Sequence, residues 1–489
     1  MDQRNREDEQ QRTLAQALKR ADLKLEELWV RYFGLGGDAG LIDVDAYIHG
    51  LGGLDPLQRD VLAHAVNERL DELTPHHRAA YSRPSREDRP HSPPLAALVR
   101  LLEDTHLAPP ERLPAAASAA GEALGVGITV YLVDYDQRRL HPLTPPGRAG
   151  DDGERKPLDI DTTLAGRAFR HVETLAAEVP DHPRLWMPLV DGVERLGVLE
   201  IAVTHTDDLY DPALRTQCRW LSTLLGHMVT LLNQHGDALD RVRLPAPRTV
   251  DGELIWSLLP PLTSGVDNFM VTGVVEPRQE VSGDAFDYAL SETTANLIVL
   301  DAAGQDLRSG LIAAIALAAY RSARRAGHGL YEQARAIDEA IAKQFGEGAH
   351  ATAVLVELDL TTGRLRHLNA GHPAPLVMRE GKVVKPLTGG RRPPLGLSAH
   401  DLTIAEEALQ PDDWLVLHTD GITEARGRGG EPFGQARLID FLHREAAAGH
   451  PPPETARRLI QAVLNHQGGV LQDDATVLFA RWTDPGVTT

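Results

Sequence analysis

Four segments in the second half of the chain each set carboxylates at the end of an apolar run. They are Ser282-Gly283-Asp284-Ala285-Phe286-Asp287, Asp301-Ala302-Ala303-Gly304-Gln305-Asp306, Thr419-Asp420-Gly421-Ile422-Thr423-Glu424 and Gln472-Asp473-Asp474-Ala475-Thr476. An ionised carboxylate in such a place is expensive to bury unless a cation neutralises it. Four separate segments with this arrangement point to carboxylates converging on metal, which requires distant strands to bring their ends together. Hard oxygen donors at strand ends suit Mg²⁺ or Mn²⁺ rather than zinc.

A chain of 489 residues is too long for one ordinary core, so two to four domains are expected. The formal net charge of −20 argues against nucleic acid and anionic membrane as partners, since both reward clustered Lys and Arg. A single cysteine, Cys218, excludes an internal disulfide framework and a thiolate zinc cluster. It lies in an apolar helical pattern and reads as a buried structural thiol. No run approaches the ~20 apolar residues of a membrane span, and the N-terminus is polar with mixed charge. The expectation is a soluble, cytoplasmic protein.

The apolar periodicity predicts a multidomain α+β chain. Residues 1–82 read as a helical N-terminal domain, with Leu14, Leu18, Leu28 and Tyr32 near helical spacing and a break at Gly34-Leu35-Gly36-Gly37. Residues 83–94, rich in proline and charge, read as a linker. Residues 95–235 form a mixed unit: helices, a strand pair over 127–133 and 139–143, a loop over 145–157, a short helix, a hairpin around Asp191-Gly192, and an exit helix. In that exit helix Leu214, Cys218, Leu221, Leu225, Met228 and Leu232 recur at three- and four-residue steps. This order resembles a GAF sensory domain. The resemblance implies small-molecule binding or dimerisation. No ligand is identified, because His141, His171 and His182 read as surface or core residues. Residues 236–250 follow as a second linker.

Residues 251–483 form the last domain. Strands over 269–275 and 295–300 lead to Asp284 and Asp301, a strand over 414–419 delivers Asp420, and Asp473-Asp474 precedes a closing strand over 476–480. With the lead-in Leu258-Leu259-Pro260, the Ala313-Ala314 helix and Asn369-Ala370-Gly371-His372-Pro373, these motifs stand in one order. That order resembles the SpoIIE-type, RsbU-like branch of the metal-dependent (PPM, type 2C) protein serine/threonine phosphatases.

The resemblance implies an α-β-β-α sandwich and two Mn²⁺ or Mg²⁺ ions. Asp284, Asp301, Asp420 and Asp473 would be catalytic, and with the Ala302 carbonyl they would bind metal. Asp474 is the lesser candidate of its pair. Hydrolysis would proceed by attack of a metal-bridging hydroxide on phosphorus. Asp287 and Glu424 would make supporting hydrogen bonds, and Asn369 and His372 would shape a loop, with His372 possible near the site.

In one place the chain departs from the family pattern. Gln305 stands where relatives carry histidine, and glutamine cannot transfer a proton as imidazole does. Arg321, Arg324 and Arg325 read as a solvated helix end or as contacts for an anionic substrate, and 389–394 reads as a mobile loop, which the resemblance places near the substrate face. The implied function is a signal-regulated phosphatase acting on a phosphorylated anti-sigma-factor antagonist, with a homodimer formed through the GAF-like domain and linker helices. Two alternatives stay open. One is a weak or inactive phosphatase-like scaffold, and the other is a small-molecule metallophosphohydrolase.

Overall fold

A computed structural model of the chain describes residues 3–73, 92–144, 155–180, 182–244, 248–278, 283–304, 306–346, 348–397 and 403–483. Two compact units divide at residues 91 and 92. The first holds helices Gln3–Ala21, Leu25–Gly34, Leu41–Ile48 and Pro56–Leu73, packed on Leu14, Leu28, Tyr32, Val44, Leu62 and Val66. The apolar pattern from Leu14 to Phe33 reads as unbroken. The chain nevertheless interrupts it at Asp22, which takes a left-handed conformation (φ 49°) between the first two helices.

In the second unit, a six-stranded antiparallel sheet comes first. Gly127–Val133 pairs with Arg139–Pro142 on one side and with Glu194–Ala202 on the other, and Arg184–Asp191 continues the sheet. Helices Pro93–Thr105, Leu113–Leu124 and Pro212–Leu232 bury one face through Leu101, Leu113, Leu199, Ile201, Cys218 and Leu225. The short helix Leu164–His171 covers the other face with Phe169, against Tyr131, Trp186 and Val198. The segment expected as a linker over 236–250 contains a helix, Ala238–Arg243, whose Leu239 and Arg243 are buried.

Two further six-stranded sheets face each other. One contains Asp284–Leu290, Thr294–Ala302, Ala351–Asp359 and Arg364–Ala370, and the other contains Phe269–Glu276, Leu376–Arg379, Trp414–His418 and Ala475–Trp482. Phe286, Leu297, Val299, Val354 and Val356 meet Val271, Leu417, Leu478 and Trp482 between them. Alternate residues Ile298, Leu300 and Leu355 turn outward onto helices Leu307–Arg325 and Leu330–Phe345. Val416, Val477 and Phe479 likewise turn onto helices Gly434–Ala447 and Pro452–His466. The result is four layers, α-β-β-α. Strands buried on both faces lack the polar alternation of a half-exposed sheet, which explains the continuous apolar runs in the sequence. Among the described residues no helix is long and apolar enough to cross a membrane.

Candidate active site

Strand register assembles the first pair of acids. Asp284 opens its strand and Asp301 lies next to the end of the neighbouring one; the two are direct cross-strand partners. Side chains alternate along a strand, so Asp284 shares the inward face of Phe286, and Asp301 that of Val299. Both therefore lie at one end of the space between the facing sheets. Thr352, the partner of Asp301 on its other side, shares that face.

The opposite sheet reaches Asp284 through a hydroxyl group. Thr419 donates its Oγ1 hydrogen to Asp284 Oδ2 at 2.8 Å and accepts from the Thr476 amide at 3.0 Å. Its own amide donates to the Thr476 carbonyl at 3.0 Å. Asp420 begins the four-residue helix Asp420–Thr423 immediately after this threonine. That helix is pressed against the Asp473-Asp474 turn, since a Cβ on Gly421 would lie 1.8 Å from the Asp474 carbonyl oxygen. Sequence reasoning missed Thr419 and Thr476. Each stands within one of the acidic motifs, but a threonine near a carboxylate carries no distinctive pattern.

The two aspartates of the last motif have different surroundings. Asp474 is buried, and its two oxygens accept from the backbone amides of Arg278 and Gly283, each at 2.8 Å. Asp473 is exposed, and one of its oxygens accepts from the Asp474 amide at 3.0 Å. The Ala302 amide donates to the Gly283 carbonyl at 3.0 Å. The Ala302 carbonyl would lie only 2.7 Å from a Cβ at position 283, so glycine is required for the approach.

Protonation reflects this crowding. Asp284 is pushed well above the usual carboxylate range, first by burial and then by Asp301 and Asp474. Asp301 rises to about 7 through burial and repulsion from Asp420, Asp473 and Asp474. Asp420 rises through burial, Asp473 and Glu424. The predicted acids from all four motifs are thus close enough to repel one another. Among the described residues, however, no three His, Cys, Asp or Glu side chains are arranged as a ready-made metal cage. The donor set itself, all carboxylate and carbonyl oxygen around mutually repelling charges, fits hard divalent cations.

The remaining candidates separate from this centre. Asp287 lies on the strand face opposite Asp284, where Arg321 and Arg324 hold its two oxygens at 2.8 and 2.9 Å. Those two arginines are therefore neither a solvated helix end nor a substrate contact, and Arg321 also donates to the Leu258 carbonyl at 2.5 Å. Residues Arg391–Arg392 form a strand beside Arg364–Ala370, and Arg392 is buried in an ion pair with Asp338 at 2.8 Å. This corrects the reading of 389–394 as a mobile loop. Asn369 shapes its turn, donating to the carbonyls of His372 and Pro373 and accepting from the His372 amide. His372 sits 2.7 Å from Thr352 Oγ1, and burial followed by His418 lowers its pKa to about 3. Glu424 is exposed at the end of the Asp420 helix. Gln305 and Ser282 lie outside the described residues. Asp306 caps helix Leu307–Arg325 by accepting from the amides of Arg308 and Ser309.

Residues 291–483 match the family model described as Stage II sporulation protein E (SpoIIE). This part of the chain carries a SpoIIE-related phosphatase fold. Protein IcfG of Synechocystis sp. is 26% identical over 275 residues, covering 50% of this chain and 42% of IcfG. The phosphoserine phosphatase RsbP of Bacillus subtilis is 26% identical over 220 residues, covering 43% of this chain and 51% of RsbP. The chain thus spans about half or less of the length of these curated relatives. Among solved structures, the RsbU and RsbW domains of Rv1364c from Mycobacterium tuberculosis align with TM-score 0.41 and 25% identity, over 45% of this chain and 63% of that one. The SiaA-PP2C domain of Pseudomonas aeruginosa aligns with TM-score 0.39 and 26% identity, over 43% of this chain and 85% of that one.

Proposed function

We propose that this SpoIIE-related chain is a metal-dependent phosphoserine/phosphothreonine protein phosphatase regulated by its GAF-like sheet domain. The observation that supports the reading is that Asp284 and Asp301 are cross-strand partners, with Thr419, directly before Asp420, bonded to Asp284, and Asp474 bonded to the Gly283 amide. Asp284, Asp301, Asp420 and Asp473 would hold two Mn²⁺ or Mg²⁺ ions, with the Ala302 carbonyl as a neighbouring donor. Such ions supply a water of lowered pKa and offset charge on the phosphoryl oxygens. Within the chain, Thr419 orients Asp284, while Asp474 holds the backbone that carries Gly283.

Cys218 offers no competing nucleophile. It is buried in the core of the first sheet, where burial pushes its thiol up to about 11. We take the substrate to be a phosphorylated anti-sigma-factor antagonist and the working form to be a homodimer through the GAF-like domain and linker helices; both rest on the resemblance. The scaffold reading draws support from the lack of a three-residue cage among the described residues. The test is Mn²⁺-dependent release of phosphate from a phosphoserine antagonist protein by the full chain, with Asp301→Ala and Asp420→Ala as controls. Turnover lost in both variants and in EDTA supports the phosphatase. No turnover by the parent chain, recovered in Gln305→His, identifies a scaffold that lost its catalytic histidine.

A further inference from the structure

We propose that the first sheet of the second unit positions the Asp473-Asp474 turn through a buried ion cluster of Arg195, Glu454 and Arg457, closed by the half-exposed Asp161 and assisted by an ion pair between Arg138 and Glu276. The proposal rests on the reading that Asp473 works in the acidic centre. Arg195 lies on the strand Glu194–Ala202, and Glu454 lies in the first turn of helix Pro452–His466. Their side chains are 4% and 0% exposed and meet at 3.4 Å. Arg457, 3% exposed, grips both oxygens of Glu454 at 2.9 and 2.8 Å and reaches Asp161 at 2.6 Å. Arg195 is held further by Gln137 at 3.0 Å and by the Phe169 ring, whose centroid lies 4.6 Å from its guanidinium carbon.

Buried charges tolerate little displacement, because a partner that slides away leaves an uncompensated ion. The cluster therefore gives helix Pro452–His466 a defined seat against the sheet, which an apolar patch would define less sharply. The helix transmits that seat inward. Its Leu459, Ile460 and Val463 pack on Val477 and Phe479 of strand Ala475–Trp482, which starts directly after Asp474. The second contact grips the neighbouring strand. Arg138 Nη2 lies 3.4 Å from Glu276, and Glu276 is the register partner of Ala475. Asp474 in turn binds the amides of Arg278 and Gly283, one residue before Asp284. The cluster thus acts through the helix on strand Ala475–Trp482, which follows the turn, and the Arg138 pair ends on the strand beside it, Phe269–Glu276. Arg195, Arg457, Asp161 and Arg138 are positioning residues here, acting through the backbone.

Asp161 and Arg138 are about half exposed, so reversing them does not empty the core. The test uses the full chain carrying Asp161→Lys and Arg138→Glu, read by hydrogen exchange and by Mn²⁺ titration calorimetry. Exchange in Pro452–His466 and Ala475–Trp482 is expected to quicken roughly tenfold while Leu307–Arg325 keeps its protection. The Mn²⁺ dissociation constant is expected to rise by a factor on the order of 5. Unchanged protection in those two segments, protection lost evenly over both facing sheets, or faster exchange there with unaltered Mn²⁺ affinity would each overturn the proposal. A parent chain that binds no Mn²⁺ sinks the metal reading instead, and the exchange pattern then decides the coupling alone.

Discussion

At the scale of single residues, adjacent carboxylates have opposite tasks. Asp473 is exposed, whereas Asp474 is buried and satisfies the Arg278 and Gly283 amides. Asp474→Ala strands both amides and should lower stability by about 2 kcal/mol, even after some repulsion from Asp284 is relieved. Asp473→Asn should leave stability within about 0.5 kcal/mol while abolishing phosphatase turnover. Urea denaturation beside a phosphate-release assay separates the two.

Glu194 behaves differently again. Burial raises its carboxyl from 4.5 to about 7, although the Thr263 amide donates to it. Between those values the folded chain keeps a proton that the unfolded chain has released. Its contribution to stability therefore falls as pH rises from about 4.5 to 7 and is flat above. Glu194→Gln keeps an acceptor and removes the ionisation. By about pH 8 it should exceed the parent by up to roughly 3 kcal/mol, with the gap closing towards pH 4.5. Denaturation midpoints across that range read the slope directly.

At the scale of elements, the residues that join strands and helices were the least legible. Strands over 269–275, 295–300, 414–419 and 476–480 were readable because apolar runs bounded by turn residues announce them, and so were the acids near their ends; Asp284–Leu290, the strand that Asp284 opens, was not. Invisible was which face a given acid takes. Asp287 and Asp284 are three residues apart, which places them on opposite faces, so only one joins the centre. Arg321 and Arg324 looked like a free helix end because their partner is reached only after the sheet folds beneath them. Arg321→Ala removes the donor to Leu258 and one of the two arginines on Asp287. It should cost about 2 kcal/mol and quicken exchange in helix Val250–Leu258. At the Asp420 helix, Gly421→Ala drives a methyl into the Asp474 backbone, and a loss of about 3 kcal/mol is expected in denaturant titration.

At the scale of the whole molecule, the two facing sheets bring together charges that repel. Asp284 and Asp301 come from one sheet, and Asp420 and the Asp473-Asp474 turn adjoin strands of the other. A cation that binds the folded arrangement therefore staples the sheets. At Mn²⁺ a hundredfold above its dissociation constant, stability should rise by about 2.7 kcal/mol. EDTA should reverse the gain, and Asp301→Ala should abolish it; differential scanning calorimetry measures both. At this scale the apolar runs indicated a multidomain α+β chain, and the four-layer order was an expectation from the resemblance alone. The sequence concealed the buried contact between Arg195 and Glu454, because a sequence separation of 259 residues leaves no periodic trace.

The sequence by itself determined most of the central strands, the acids near their ends and the oxygen-only chemistry they offer, because local pattern and residue type suffice for those; the strand Asp284–Leu290 it did not announce. Tertiary structure alone decided that Asp284 and Asp301 stand side by side, that Thr419 bridges from the opposite sheet, and that Asp287 is withdrawn into an arginine clamp. The physical reason is that strand register and sheet facing set which charges meet, and both are fixed by packing between segments far apart in the chain.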